Sequence, residues 1–243
     1  MKPYPITIKP FGETAILLEW PKEVNEDMLH HIMRFNGFLK TQFGEGWSLV
    51  PAYNSLALIH NEGHFDFQSL KAKVQAWYND DIQEVHMNHV LWKLPVCYDL
   101  DFGLDLEETA YKLSMTIDEL VEMHTSRAYT VFGIGFLPGF MYLGGLPKTL
   151  ETKRLETPRL HVQKGSVGLA GKQTGIYPQD SPGGWNIIGR CPVPMFNLNR
   201  KEPCFVQVGD KIQFTPIDRA TFDLKVIEAE VGIYQPEKSI LNA

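Results

Sequence analysis

Six basic residues, Lys148, Lys153, Arg154, Arg159, Lys164 and Lys172, lie in one stretch with only Glu151 and Glu156 as acids. The local charge is +4 in a chain whose net charge is -6, and Arg190 follows shortly after. A guanidinium is a planar fork of donors that matches carboxylate or phosphate at two points, whereas an ammonium is a mobile point charge. Arg159 follows Pro158 and Arg190 follows Gly189, so both stand at positions where the backbone is constrained. These two arginines are read as clamps for an anion, and the lysines as a solvated face.

Between the two arginines runs "QTGIYPQDSPGGWNIIGR", Gln173 to Arg190. Gly175, Gly183, Gly184 and Gly189 alternate with Pro178 and Pro182, far more backbone constraint than a connecting loop needs. Gly183 and Gly184 let backbone amides approach a ligand closely. Tyr177 and Trp185 can wall a pocket, with Gln173 supplying an orienting amide. A tightly packed corner built on core aromatics accounts for the same residues without any ligand, and both readings stand at this stage.

Other chemistries find less support. "GSVGLAGKQTG" from Gly165 has a phosphate loop's composition but not its spacing, and no helix pattern follows to receive phosphate at an N-terminus. "GIGFLPG" is broken as a dinucleotide fingerprint by Pro138. Ser166 and Ser181 sit in Gly/Pro surroundings and read as turn formers rather than nucleophiles. His30, His31, His86 and His89 have no carboxylate at ligand spacing, so no metal site is expected. Cys97, Cys191 and Cys204 are odd in number and form no CxxC pair, consistent with free thiols in a reducing compartment. A pI near 5.8 argues against nucleic acid as a partner. Ala128 to Leu146 carries no charge, but five glycines and Pro138 make it a buried strand, a loop and another buried piece rather than a membrane span. With no apolar leader at the N-terminus, the expected location is cytoplasmic.

The elements that position these residues are legible in the spacing. Residues 6–9 and 14–20 read as strands, and Asn25 caps a helix to about Lys40 with Met28, Leu29, Ile32, Phe35 and Leu39 on one face. "WSLVPAYNSLALIH" reads as two strands around Tyr53–Asn54. Asp66 caps a helix to about Tyr78 with Leu70, Val74 and Trp77 inward, and "HMNHVLWKLPVCY" is extended. Two short helices follow over 105–114 and 116–125, the second opened by a capping box between Thr116 and Glu119. Twelve of the twenty glycines then fall between Gly133 and Gly189, separating short extended pieces as in a closed β-barrel. "CFVQVGDKIQFTPI" reads as a hairpin turning at Gly209–Asp210.

Three blocks, "IGFLPGFMYLGGLP", "TPRLHVQKGSVGLAGKQTGIYP" and "SPGGWNIIGR", resemble the signature blocks of the KipI-like family, also called allophanate hydrolase subunit 1. The resemblance extends to "VCYDLDFGLDLEETA" and "GDKIQFTPI", and the N-terminal third agrees in pattern only. Gln163–Lys164 departs from it, because the family more often has Pro and a small residue there. The resemblance implies an α+β fold: a small N-terminal α/β sandwich domain over residues 1–90, then a cyclophilin-like β-barrel domain over residues 91–243. It implies a role like that of the B subunit of the bacterial ATP-dependent 5-oxoprolinase, which opens 5-oxoproline (pyroglutamate) to L-glutamate only with subunits A and C. A related domain occurs in urea amidolyase. No nucleotide motif is present, so ATP is expected to be used by the complex rather than bound by this chain alone. In that picture Arg159 and Arg190 hold anionic groups, Gln173 and Tyr177 orient the lactam, and His124 transfers a proton. The alternative implied by the family is an inhibitor of a sensor histidine kinase, with Phe136, Phe140 and Trp185 lining a groove for a proline-bearing segment.

Overall fold

The computed structural model describes residues 4–80 and 89–241. They belong to two separate units, one within residues 1–88 and the other from His89 to Asn242. His86 and the first residues of the extended segment expected around it lie outside the described residues.

In the first unit, alternating apolar residues build a four-stranded antiparallel sheet of order β1-β2-β4-β3. Its members are β1 (Thr7–Pro10), β2 (Ala15–Glu19), β3 (Trp47–Ala52) and β4 (Ser55–His60), with α1 (Glu26–Gln42) between β2 and β3. Register places Ile16 opposite Leu58 and Leu18 opposite Leu56, so all four side chains enter one core. The Asn25 side chain accepts from the Met28 amide at 2.8 Å, starting α1 where the spacing places it. Asp66 opens α2 (Phe67–Asn79) in the same way. Trp77, expected on the buried face of α2, is only partly buried. Tyr78 takes the deep position, because its hydroxyl accepts from Trp20 Nε1 and donates to the Tyr4 carbonyl.

The second unit is a barrel. Its strands are β5 (His89–Cys97), β6 (Ala128–Ile134), β7 (Met141–Gly144), β8 (Arg159–Val162), β9 (Ser166–Ala170), β10 (Gln173–Ile176), β11 (Ser181–Gly183), β12 (Asn186–Arg190), β13 (Lys211–Ile217) and β14 (Glu237–Leu241). Seven of them run in the order β12-β9-β10-β7-β6-β13-β5, and β12 returns to β5 through the pair Arg190–Cys97, closing the cylinder. The pair β13–β5 is parallel, and β14 extends the sheet on the other side of β5. Leu94, Val96, Tyr129, Val131, Leu169 and Ile188 fill its core. Helices α3 (Leu106–Lys112) and α4 (Ile117–Thr125) intervene between β5 and β6, and the Thr116–Glu119 capping box starts α4. This is the α+β architecture expected, and the uncharged run from Ala128 forms β6, a loop and β7. No helix among the described residues is long and apolar enough to cross a membrane.

One expectation fails here. Residues 204–208 do not pair with β13 as a hairpin arm. Instead the Asp210 carboxylate collects the amides of Val90 and Gln207 and the Trp92 indole, folding that segment back on itself. The chain continues into α5 (Arg219–Glu230), for which the sequence reading proposed no element and whose one buried residue is Phe222.

Candidate functional site

Arg159 leaves β8 toward the start of α3 and makes two parallel hydrogen bonds to Asp105, at 2.9 and 2.5 Å. The Asp105 side chain is 4% exposed and also accepts from the Ile187 amide at 2.6 Å. That carboxylate is turned away from the helix it precedes, which explains why α3 has no side-chain cap. Arg159 is therefore a clamp on an internal anion, with both terminal nitrogens engaged by Asp105.

The glycine-rich stretch resolves in favour of the packed corner. Tyr177 is 2% and Trp185 4% exposed, and both sit edge-on to Phe140, with centroids 5.4 Å away in each case. Gly183 lies directly on the Tyr177 ring, where any Cβ would overlap the phenol. Burial raises the Tyr177 pKa, with its hydrogen bond to the Trp185 backbone opposing that shift. Gly184 accepts from the Leu155 amide at 2.8 Å, fixing the strap that covers the cluster. Gln173 opens β10, paired with Ala170. Tyr177, Trp185, Gly183 and Gly184 thus brace the barrel wall. Of the three aromatics offered to a proline-bearing partner, Phe140 and Trp185 are buried. Phe136 is 65% exposed, on a left-handed backbone at φ 70°.

His124 lies in the interior. It is fully buried inside the barrel, with Nδ1 2.7 Å from the Tyr98 hydroxyl and Nε2 2.9 Å from Thr174 Oγ1. Phe214 stacks on the ring at 4.6 Å. Desolvation lowers its pKa to about 3, which favours the neutral ring.

Arg190 is different. It ends β12 beside β9, opposite Ser166, and its Nε donates to the Lys164 carbonyl at 3.0 Å. Gly165 makes that approach possible: its φ is +84°, and a Cβ there would overlap the Cys191 carbonyl. The guanidinium lies 5.5 Å from the Phe102 ring and 5.9 Å from that of Phe222 on α5, a cation–π seat. Burial lowers its pKa, with Asp180 opposing and Arg219 adding to the effect. No carboxylate among the described residues pairs with its terminal nitrogens. They belong to a cleft of about 470 Å³ whose walls include Lys164, Arg190, Pro194, Phe196, Phe222 and Glu230. Asp180 lies near its edge, accepting from the Lys164 amide at 2.7 Å and meeting His161 at 3.0 Å. None of His124, Arg159, Gln173, Tyr177, Gly183, Gly184 or Trp185 lines the cleft. Sequence reasoning missed Phe102, Phe222 and Glu230. A signal for α5 existed in Asp218, whose side chain accepts from the Thr221 amide and caps the helix, and in the spacing of Phe222, Val226 and Ala229 along one face. Among the described residues no group of three or more His, Cys, Asp or Glu is placed to hold a metal ion.

Residues 6–206 match the family described as carboxyltransferase domain, subdomain C and D. The chain belongs to this family. The 5-oxoprolinase B subunit of Bacillus subtilis (strain 168) is 30% identical over 226 residues, covering 88% of this chain and 94% of that protein. That of Haemophilus influenzae (strain ATCC 51907 / DSM 11121 / KW20 / Rd) is 34% identical over 210 residues, covering 86% and 97%. Among solved structures, TTHA0988 superposes with a TM-score of 0.73 at 27% identity, over 87% of this chain and 40% of that one. The chain therefore spans two fifths of that longer protein and nearly the whole of the two 5-oxoprolinase B subunits.

Proposed function

We propose that this chain is the B subunit of an ATP-dependent 5-oxoprolinase, a part of a lactam hydrolase that turns over only together with subunits A and C. The observation that carries this reading is the near end-to-end match to 5-oxoprolinase B subunits from two bacteria. A five-membered lactam is an unstrained amide and a poor electrophile. ATP would supply the phosphoryl group that makes its carbonyl oxygen a leaving group. Gly165–Gly175 forms the β9–β10 hairpin, not a loop feeding a helix N-terminus, so we assign nucleotide binding to the assembled complex rather than to this segment. The contribution of this chain is charge. Arg190, held by its aromatic seat and the Lys164 carbonyl, offers its terminal N–H groups to an anion without having to reorganise. The Asp105–Arg159 pair and the Tyr177–Trp185 cluster hold the barrel wall from which Arg190 projects.

The test is co-expression with subunits A and C and an assay of ATP-dependent glutamate release from 5-oxoproline. Turnover should require this chain and should be lost in Arg190→Ala while the complex still assembles. Release that continues without this chain rejects the reading, and wild-type turnover in Arg190→Ala removes that residue from the site.

A further inference from the structure

The Arg190 cleft is lined by charges of both signs. The barrel side brings Arg190 and Lys164. The other side is the last turn of α5, which contains Glu228 and Glu230 and no basic residue. An acid at a helix C-terminus stands at the negative end of the macrodipole, where a cation is favoured. Glu230 lines the cleft, and no hydrogen bond or ion pair joins its carboxylate to another described residue. Pro192, Pro194 and Phe196 add apolar surface beside Asn197. Two cations, one anion and a hydrocarbon surface between them form the complement of one class of small molecule.

We propose that this cleft binds a zwitterionic amino acid with a second carboxylate, with its acids on Arg190 and Lys164, its ammonium on Glu230 and its methylenes on the proline wall. This rests on the reading above and deepens it: the ligand is the ring-opened product, not the lactam. The lactam nitrogen is a neutral amide, so 5-oxoproline carries one charge and can offer Glu230 an N–H but no cation. With the carbonyl oxygen phosphorylated, addition of water to its carbon and breakage of the ring C–N bond give an acyl phosphate, a second water releases inorganic phosphate to leave a new carboxylate, and the freed nitrogen takes a proton to become ammonium. Two of the three groups that the cleft matches, the second carboxylate and the ammonium, are absent before ring opening and present after it.

The experiment is calorimetric titration of the full chain with L-glutamate, 5-oxoproline and 2-hydroxyglutarate, in which a hydroxyl replaces the ammonium. L-Glutamate should bind at least about tenfold more tightly than either, the worth of one charge-assisted contact. Glu230→Gln should erase the preference over 2-hydroxyglutarate, and Arg190→Ala should remove binding of both dicarboxylates. Glu230 is exposed, so its variant tests binding without threatening the fold. Equal affinity for L-glutamate and 2-hydroxyglutarate, tighter binding of 5-oxoproline, an unchanged ratio in Glu230→Gln, or no saturable binding would each overturn the proposal. The complex assay separates the two readings. Turnover without a glutamate preference at the cleft sinks this one alone. A glutamate-preferring cleft in a complex without turnover sinks the 5-oxoprolinase reading and leaves an amino-acid site.

Discussion

Arg159 and Arg190 are the same residue type on the same barrel, and they do opposite things. Arg159 meets a carboxylate that is nine-tenths or more buried and already engaged with backbone, so its charge is spent inside the fold. Arg190 meets aromatic faces and one carbonyl, which orient it without neutralising it. A cation is available for chemistry when the fold holds its direction but leaves its charge unpaired.

The comparison is sharpest at Asp105. Asp105→Ala strands the Arg159 guanidinium and the Ile187 amide, and should cost about 3–5 kcal/mol by urea denaturation. A loss under about 1 kcal/mol would mean that Arg159 is as free as Arg190. Gly183→Ala, which forces a methyl into the Tyr177 ring, should cost about 1–3 kcal/mol in the same measurement. A neutral result there would reopen the packed corner as a pocket. His124 separates interior from surface by pH. Its folded pKa of about 3 lies below the unfolded value of 6.5, so the neutral buried form stabilises the protein above pH 6.5. That stability should fall by about 1.4 kcal/mol for each pH unit between 6.5 and 3. The slope should shrink by that amount in a folded His124→Gln, and an unchanged slope would show that His124 is reached by protons in the native state. The smallest effect is expected at Arg190→Ala, which loses cation–π contacts and one exposed hydrogen bond to the Lys164 carbonyl, about 1–2 kcal/mol. A large drop in melting temperature would place Arg190 with Arg159 as a structural residue.

Much of this was legible. Asn25, Asp66 and Thr116 start helices because their side chains satisfy free amides, a rule that acts within four residues. Alternation in "AILLE" and "SLALIH" sets the first sheet for the same local reason. The site was harder, since its parts are joined by the barrel's closure and not by sequence spacing. Arg190 and Lys164 were visible as charges, but which arginine kept its charge depended on Asp105, far away in the chain. Tyr177 and Trp185 have types that suit either a pocket or a core, and only three-dimensional packing decides between them. Glu230 reads as an ordinary surface acid until the fold brings α5 to the same cleft as Arg190.

The barrel closes at Arg190–Cys97, the pair by which β12 returns to β5. A cylinder of strands has no free edge except where its first and last staves meet, and the arginine assigned to the ligand is a rivet in that joint. Whatever tugs on its head group pulls on the hoop, so occupancy of the cleft should be readable as slower amide exchange along the join.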